Sequence, residues 1–301
     1  MRIPDDGIYI MTDPALGGLG GRANVDITKV TIIGVGGGNG NGDGLICFAG
    51  DDSTVNVSEL HVSYSSSDAT QLSHKTDWNY TGTHANPSVV VRKNGAIGIQ
   101  HLRGKTLNMD HVVSIDNGTW GIRVDSDNTD TLNLTDSLIA NNGADGFWTS
   151  YVPSHVKTFE IKNSTIFGNG ASQAGAANIK LEAATNADLT VNVTDSIIAG
   201  AGTRGLHNLS SAGLNVANCG LPTTGVDALT AVIHPDSTGP VNITNSLSDD
   251  PQFANTSTIP FAPNAFDILA GAYATASSTN GALNGWGDGP PPADVADWAM
   301  Y

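Results

Sequence analysis

VNVTDSIIAG, from Val191 to Gly200, is the stretch on which the fold turns, because the chain repeats it with variations. It reads VDITKVTIIG from Val25, VNVSELHVSY from Val55, LNMDHVVSID from Leu107 and LNLTDSLIAN from Leu132. It returns as FEIKNSTIFG from Phe159, LNVANCGLPT from Leu214 and VNITNSLSDD from Val241. Successive starts differ, by subtraction, by 30, 52, 25, 27, 32, 23 and 27 residues. The gap of 52 is twice the usual step, so one degenerate unit lies inside it, and SVVVRKNGAIGIQHL from Ser88 supplies its better half. Within each phrase apolar and polar residues alternate, the period of a strand with one buried face. Val191, Val193 and Ile197 are expected to point inward, and Asn192 and Thr194 outward.

Working outward, Asn117, Asn142 and Asn169 each stand ten residues after a phrase begins, each followed by Gly; Asn94-Gly95 fits the degenerate unit. Asn-Gly suits a sharp turn that needs positive φ, and stacked Asn side chains can form a hydrogen-bonded ladder. A second short strand follows each turn: GIQHL, GIRVD, GFWTS, NIKLE and GLHNL. A unit of about 25 residues built this way cannot bury its apolar face alone and must stack on its neighbours. Leucine-rich repeats lack this phrase, and propeller blades need longer periods. The expected fold is all-β: a single-stranded right-handed parallel β-helix solenoid of about nine coils. Residues 1–24 read as an N-terminal cap with a covering strand over Ile8–Met11, residues 25–280 as the coils, and 281–301 as an extended C-terminal tail.

Composition agrees. Charged residues are 14% and aromatics 6%, while 36 glycines punctuate β-branched segments, which disfavours helices. The net charge of −16 offers no footprint for DNA or RNA. No apolar run is long enough to span a membrane, and Met1-Arg2-Ile3-Pro4-Asp5-Asp6 opens no signal peptide. Cys47 and Cys219 are expected as separate small core residues. The Gly-rich stretch from Gly34 to Gly44 opens no helix, so it is no phosphate loop.

The phrase [VL]-N-[VLI]-x-[DN]-S-x-I, with N-G-x-x-G-[IF] behind it, resembles the right-handed parallel β-helix superfamily of pectate-lyase-like proteins. Asp250-Pro251-Gln252-Phe253 and Phe266-Asp267-Ile268-Leu269 are similar to a closing segment of bacterial members. The resemblance covers roughly residues 25 to 280 and implies the fold far more narrowly than the activity, since its members include lyases, hydrolases, epimerases, tailspikes, adhesins and structural parts. It implies an extracellular, cell-surface or virion-surface setting.

Aligning the second strands gives an outward row of Gln100, Arg123, Trp148, Lys180 and His207, with Asp125, Ser150 and Glu182 beside it. An indole among cations and carboxylates suits a sugar ring and uronate groups. The carbohydrate-binding candidates are Gln100, Arg123, Trp148, Lys180, Glu182 and His207; the plain alternative is a solvated face. For a lyase, Lys180 or His207 would be the base and Arg123 or Ca²⁺ the neutraliser of the substrate carboxylate. Asp125, Asp127 and Asp130 are the candidate Ca²⁺ ligands, although their spacing is not an EF-hand's; otherwise no cofactor is expected. The signatures of the enzymatic relatives are mostly absent: Asn128-Thr129-Asp130 is followed by Thr where polygalacturonase-like members have Gly. Asp110-His111 resembles a lyase-like DHV, yet Asp110 replaces the Thr or Ala of sister repeats. In the tail, Pro290, Pro291 and Pro292 make a stiff spacer ahead of Trp298, Met300 and Tyr301, a candidate assembly element. The reading leans to a non-catalytic structural protein whose partner is itself. A polysaccharide-active enzyme, or a carbohydrate-binding adhesin, is the alternative.

Overall fold

A computed structural model describes residues 6–11, 22–36, 42–73, 76–83, 86–102, 104–124, 129–150, 157–171, 173–182, 189–249 and 251. The C-terminal tail, most of the proposed cap, and Asp125 and Asp127 lie outside these residues. Within them the chain is a parallel β-solenoid, consistent with a right-handed parallel β-helix, and no helix is long and apolar enough to cross a membrane.

Three stacks of strands make the coil wall. The first is a nine-stranded parallel sheet: Ile8–Met11, Leu45–Phe48, Thr70–Ser73, Ile99–His101, Ile122–Val124, Phe147–Thr149, Ile179–Leu181, Arg204–Asn208 and Ala231–Ile233. The repeated phrase supplies the other two. Its first half forms the second stack, from Asn24–Ile33 and Thr54–Ser63 through Thr106–Asp110 and Leu189–Thr194 to Val241–Thr244. Its second half forms the third, which ends at Ile197–Ala199. Nine coils result. In the last two the third stack shrinks to the isolated bridges Ile197↔Gly220 and Gly220↔Leu247, so seven coils are complete. Ile8–Met11 forms the expected strand, as the outermost rung paired in parallel with Leu45–Phe48. The degenerate coil has a first half after all: Asp77–Tyr80 pairs with Thr54–Val57 on one side and Thr106–Met109 on the other.

In-register pairing stacks like on like inside the tube. Val55, Trp78, Leu107, Leu132, Phe159, Val191 and Leu214 form one buried column, and Val57, Tyr80, Met109, Leu134, Ile161, Val193 and Val216 the next. Each such side chain contributes roughly 1.5–3 kcal/mol on burial, and only its neighbouring coils complete that burial. Cys47 and Cys219 are free and buried, with both thiols pushed up to about 12 by burial.

The corner between the second and third stacks corrects one expectation. Lys29, Glu59, His111, Asp136, Asn163, Asp195, Asn218 and Asn245 all take left-handed φ values of 48–55° there. Asp and Asn tolerate that conformation, which explains the [DN] of the phrase. The left-handed residue resets the alternation, so Ile198 joins the core cluster and Ile197 is buried on the outer side. The Ser that follows faces inward and bridges coils: Ser196 Oγ donates to Thr194 O and accepts from Ser164 N. Ser164 Oγ and Ser137 Oγ repeat the pattern.

The second corner carries the predicted asparagine ladder. Each Nδ2 donates to the next coil's Oδ1, from Asn94 to Asn117 (2.9 Å), to Asn142 (2.9 Å) and to Asn169 (2.8 Å). Asn178, from a different place in its repeat, extends the ladder and ends it on Ala199 O and Thr203 Oγ1. Gly170 takes the expected positive φ, 68°, but the other glycines of the ladder do a different job. Positive φ also belongs to the residue before each Asn: Lys93, Asp116, Asn141 and Gly168. Gly118 and Gly143 are required because a Cβ on either would collide with the carbonyl oxygen of the preceding coil's Gly95 or Gly118.

A second ladder runs along the outside of the second stack in the opposite sense. Asn56 donates to Asp26, Asn79 to Asn56, Asn108 to Asn79 and Asn133 to Asn108, at 2.8–3.2 Å. Beyond Glu160, which accepts from Asn192, it continues from Asn215 to Asn192 and from Asn242 to Asn215.

Candidate functional site

The row expected on the first stack is present in register. Gln100 pairs with Arg123, Arg123 with Trp148, Trp148 with Lys180 and Lys180 with His207. His234 follows as the next rung, its N–H donating to Leu206 O. These side chains point outward because Ile99, Ile122, Phe147, Ile179 and Leu206 between them point in.

The row is knitted to itself. The Arg123 guanidinium lies 4.7 Å from the Trp148 ring centre and 5.0 Å from that of Trp120. The two indoles are 5.6 Å apart. Trp148 is 7% exposed, so it presents no open face to a pyranose ring, contrary to the stripe read from sequence. Its Nε1 donates to Glu182 Oε2 at 2.8 Å, and Lys180 Nζ lies 3.2 Å from the same oxygen. Burial would raise the Glu182 carboxyl, but the bonds from Trp148 and Lys180 outweigh it and hold the group below its ordinary value. Gln100 accepts a 3.4 Å bond from Gln71 at the row's other end.

Three contributors were missed in the sequence. Trp120 sits in the turn of a preceding coil, and its Nε1 donates to Asp145 Oδ2 at 3.1 Å. Asp145 Oδ1 accepts from Ala177 N, yet burial lifts this carboxyl to about 6. His234 stacks on His207 with ring centres 3.8 Å apart and planes 11° from parallel. His207 Nδ1 bonds to Gly175 O at 3.0 Å, and His234 Nδ1 accepts from Asp236 N. Burial lowers both imidazoles; the charge of Lys180 lowers His207 further, and His207 itself lowers His234. The one sequence signal for His234 was its spacing from His207, close to one coil.

The raised Asp145 gives a readout. Its folded value near 6 lies above the ordinary 3.8, so the neutral form is favoured in the fold, and that contribution is lost as pH rises through about 6. Tryptophan emission is expected to titrate with a midpoint near 6 through the Trp120 bond, and Asp145→Asn to abolish the transition. An unchanged titration in that variant would assign it elsewhere.

Of the Ca²⁺ candidates, Asp130 is 3.6 Å from Lys157 Nζ, on a different face from the row. Asp125 and Asp127 lie outside the described residues, as do Pro290, Pro291, Pro292, Trp298, Met300 and Tyr301. No protein-family model, curated protein or solved structure matches this chain.

Proposed function

We propose that this protein is a non-catalytic structural protein of an extracellular or particle surface, which assembles with copies of itself through its C-terminal tail and its coil ends. The observation that carries this reading is the state of the terminal coils. Ile233 and Ile243 belong to inward columns, continuing Leu206 and Val216, yet they are 40% and 37% exposed. Ile8, the first rung of the column that runs through Leu45, is 36% exposed at the other end. Among the described residues no strand pairs beyond these end rungs, and parallel edges ending in apolar side chains favour a further parallel strand. A head-to-tail contact of that kind does not close on itself, and so yields filaments. The mutual pairing of Arg123, Trp148, Lys180 and Glu182 supports the non-catalytic part, since those groups are already engaged with one another.

Negative-stain microscopy with sizing, on the full chain and on one lacking residues 290–301, tests the reading. Filaments or defined oligomers are expected for the full chain and not for the truncation. Compact monomers in both would overturn it.

A second reading has one observation in its favour. Among the described residues, His207 Nε2 and His234 Nε2 are buried without a hydrogen-bond partner beside Lys180. A buried imidazole edge left over in this way suits a binding or proton-transfer group in a polysaccharide-active or carbohydrate-binding surface. Cleavage of, or binding to, an acidic polysaccharide that is lost in Lys180→Ala would establish that reading over the first.

A further inference from the structure

We propose that Asp110, His111 and Asp136 form a binding site for a divalent transition-metal ion of the zinc type, bridging two adjacent coils at the corner of the second and third stacks. One ligand atom from each of the three side chains falls within 4.8 Å of the others, and all three side chains are part-buried with access to solvent. His111 Nδ1 and Asp110 Oδ1 are 2.9 Å apart. Ligand atoms on a tetrahedral ion with bonds of 2.0–2.2 Å stand about 3.4 Å apart, so a small movement seats the ion.

The register shows why the donors occur here. At the position of Asp110 the leading coils carry Thr28 and Ser58, and the following ones Thr135, Lys162, Thr194, Ala217 and Thr244. At the corner that follows the leading coils carry Lys29 and Glu59, the following ones Asp136, Asn163, Asp195, Asn218 and Asn245, and His111 is the lone imidazole of that column. One coil thus departs from the repeat at two consecutive positions, and both departures add a metal donor facing the next coil's Asp136. The surroundings orient those donors. Thr135 Oγ1 donates to Asp110 Oδ1 at 2.9 Å, and the Asn163 side chain bonds to Asp136. Hydrogen bonds of this kind fix ligating carboxylates. The nearest coil's cation is turned away, with Lys162 Nζ at 3.4 Å from Glu160. An imidazole with two carboxylates suits zinc or its neighbours, whereas Ca²⁺ asks for an all-oxygen shell.

Isothermal titration of the full chain with ZnCl₂, and separately with CaCl₂, tests the site. One zinc per chain is expected, with binding by CaCl₂ at least tenfold weaker. His111→Asn and Asp110→Thr install residues that sister coils carry at the same places, so both variants are expected to fold, as circular dichroism checks. Each is expected to weaken zinc at least tenfold. Zinc binding unchanged in folded His111→Asn, or calcium bound as tightly as zinc, overturns the assignment.

Discussion

Asn142→Ala is expected to lower the unfolding free energy by about 3–5 kcal/mol, the largest effect of any single polar substitution in the wall. Asn142 is 2% exposed and is the middle rung of the inner ladder. Its Nδ2 donates to Asn169 Oδ1 and to Ser114 O, and its Oδ1 accepts both the backbone N–H and the Nδ2 of Asn117. Alanine leaves the Asn117 N–H and the Ser114 carbonyl buried without these bonds, and each such loss costs roughly 1–3 kcal/mol. The comparison is Asn133→Ala in the outer ladder. That side chain is part-buried, its Nδ2 makes one bond to Asn108, and water can replace it; the expected cost is below about 1 kcal/mol. Urea denaturation of both variants decides the matter. Equal losses would mean that the inner ladder is ornamental and that apolar stacking alone sets stability.

The second large effect is acid lability, centred on His101. This imidazole points into the tube, is 0% exposed, and bonds through Nε2 to Tyr80 Oη at 2.8 Å, with Trp78 packed against it. Burial lowers it to about 3 from an ordinary 6.5. The folded protein therefore keeps His101 neutral while the unfolded chain takes up a proton below pH 6.5. Stability is full above that value and falls as pH drops toward 3, by about 1.4 kcal/mol per unit, or about 3 kcal/mol between pH 7 and pH 4. His207 and His234 act in the same direction and Asp145 in the opposite one, so the total slope belongs to no single group. His101→Gln isolates the contribution, since glutamine still offers Tyr80 a hydrogen-bond partner. Unfolding free energies at pH 7 and pH 4 are expected to differ by about 3 kcal/mol less in the variant than in the parent. Parallel pH dependences would place the lability elsewhere.

The coil and its inner ladder were legible because each is written many times in the same words. So was the register of Gln100, Arg123, Trp148, Lys180 and His207, since parallel stacking in register turns sequence alignment into contact. What escaped was written once, or depended on something far away. Asp77–Tyr80 holds Trp78 and Tyr80 where sister coils hold Val, Leu, Ile, Met or Phe, so its match to the phrase was hidden. Ile197 looked inward by simple alternation, and the left-handed φ of 49° at Asp195 shifted the parity by one. Trp148 looked open until Trp120, in the turn of the preceding coil, was seen beside it with Arg123 packed against both rings. The lift of Asp145 comes from enclosure by three coils, which no local pattern records.

The two asparagine ladders have a consequence for how long such a wall can grow. Inner amides donate toward the C-terminal coils and outer amides toward the N-terminal ones. Each row is a line of side-chain dipoles, and a single row would accumulate partial charge at the ends of the rod, as a helix does. Set antiparallel on two sides of one tube, the rows oppose each other along the coils that carry both. Coils, or whole copies of the chain, can then be added end to end without building an axial potential that resists the next one.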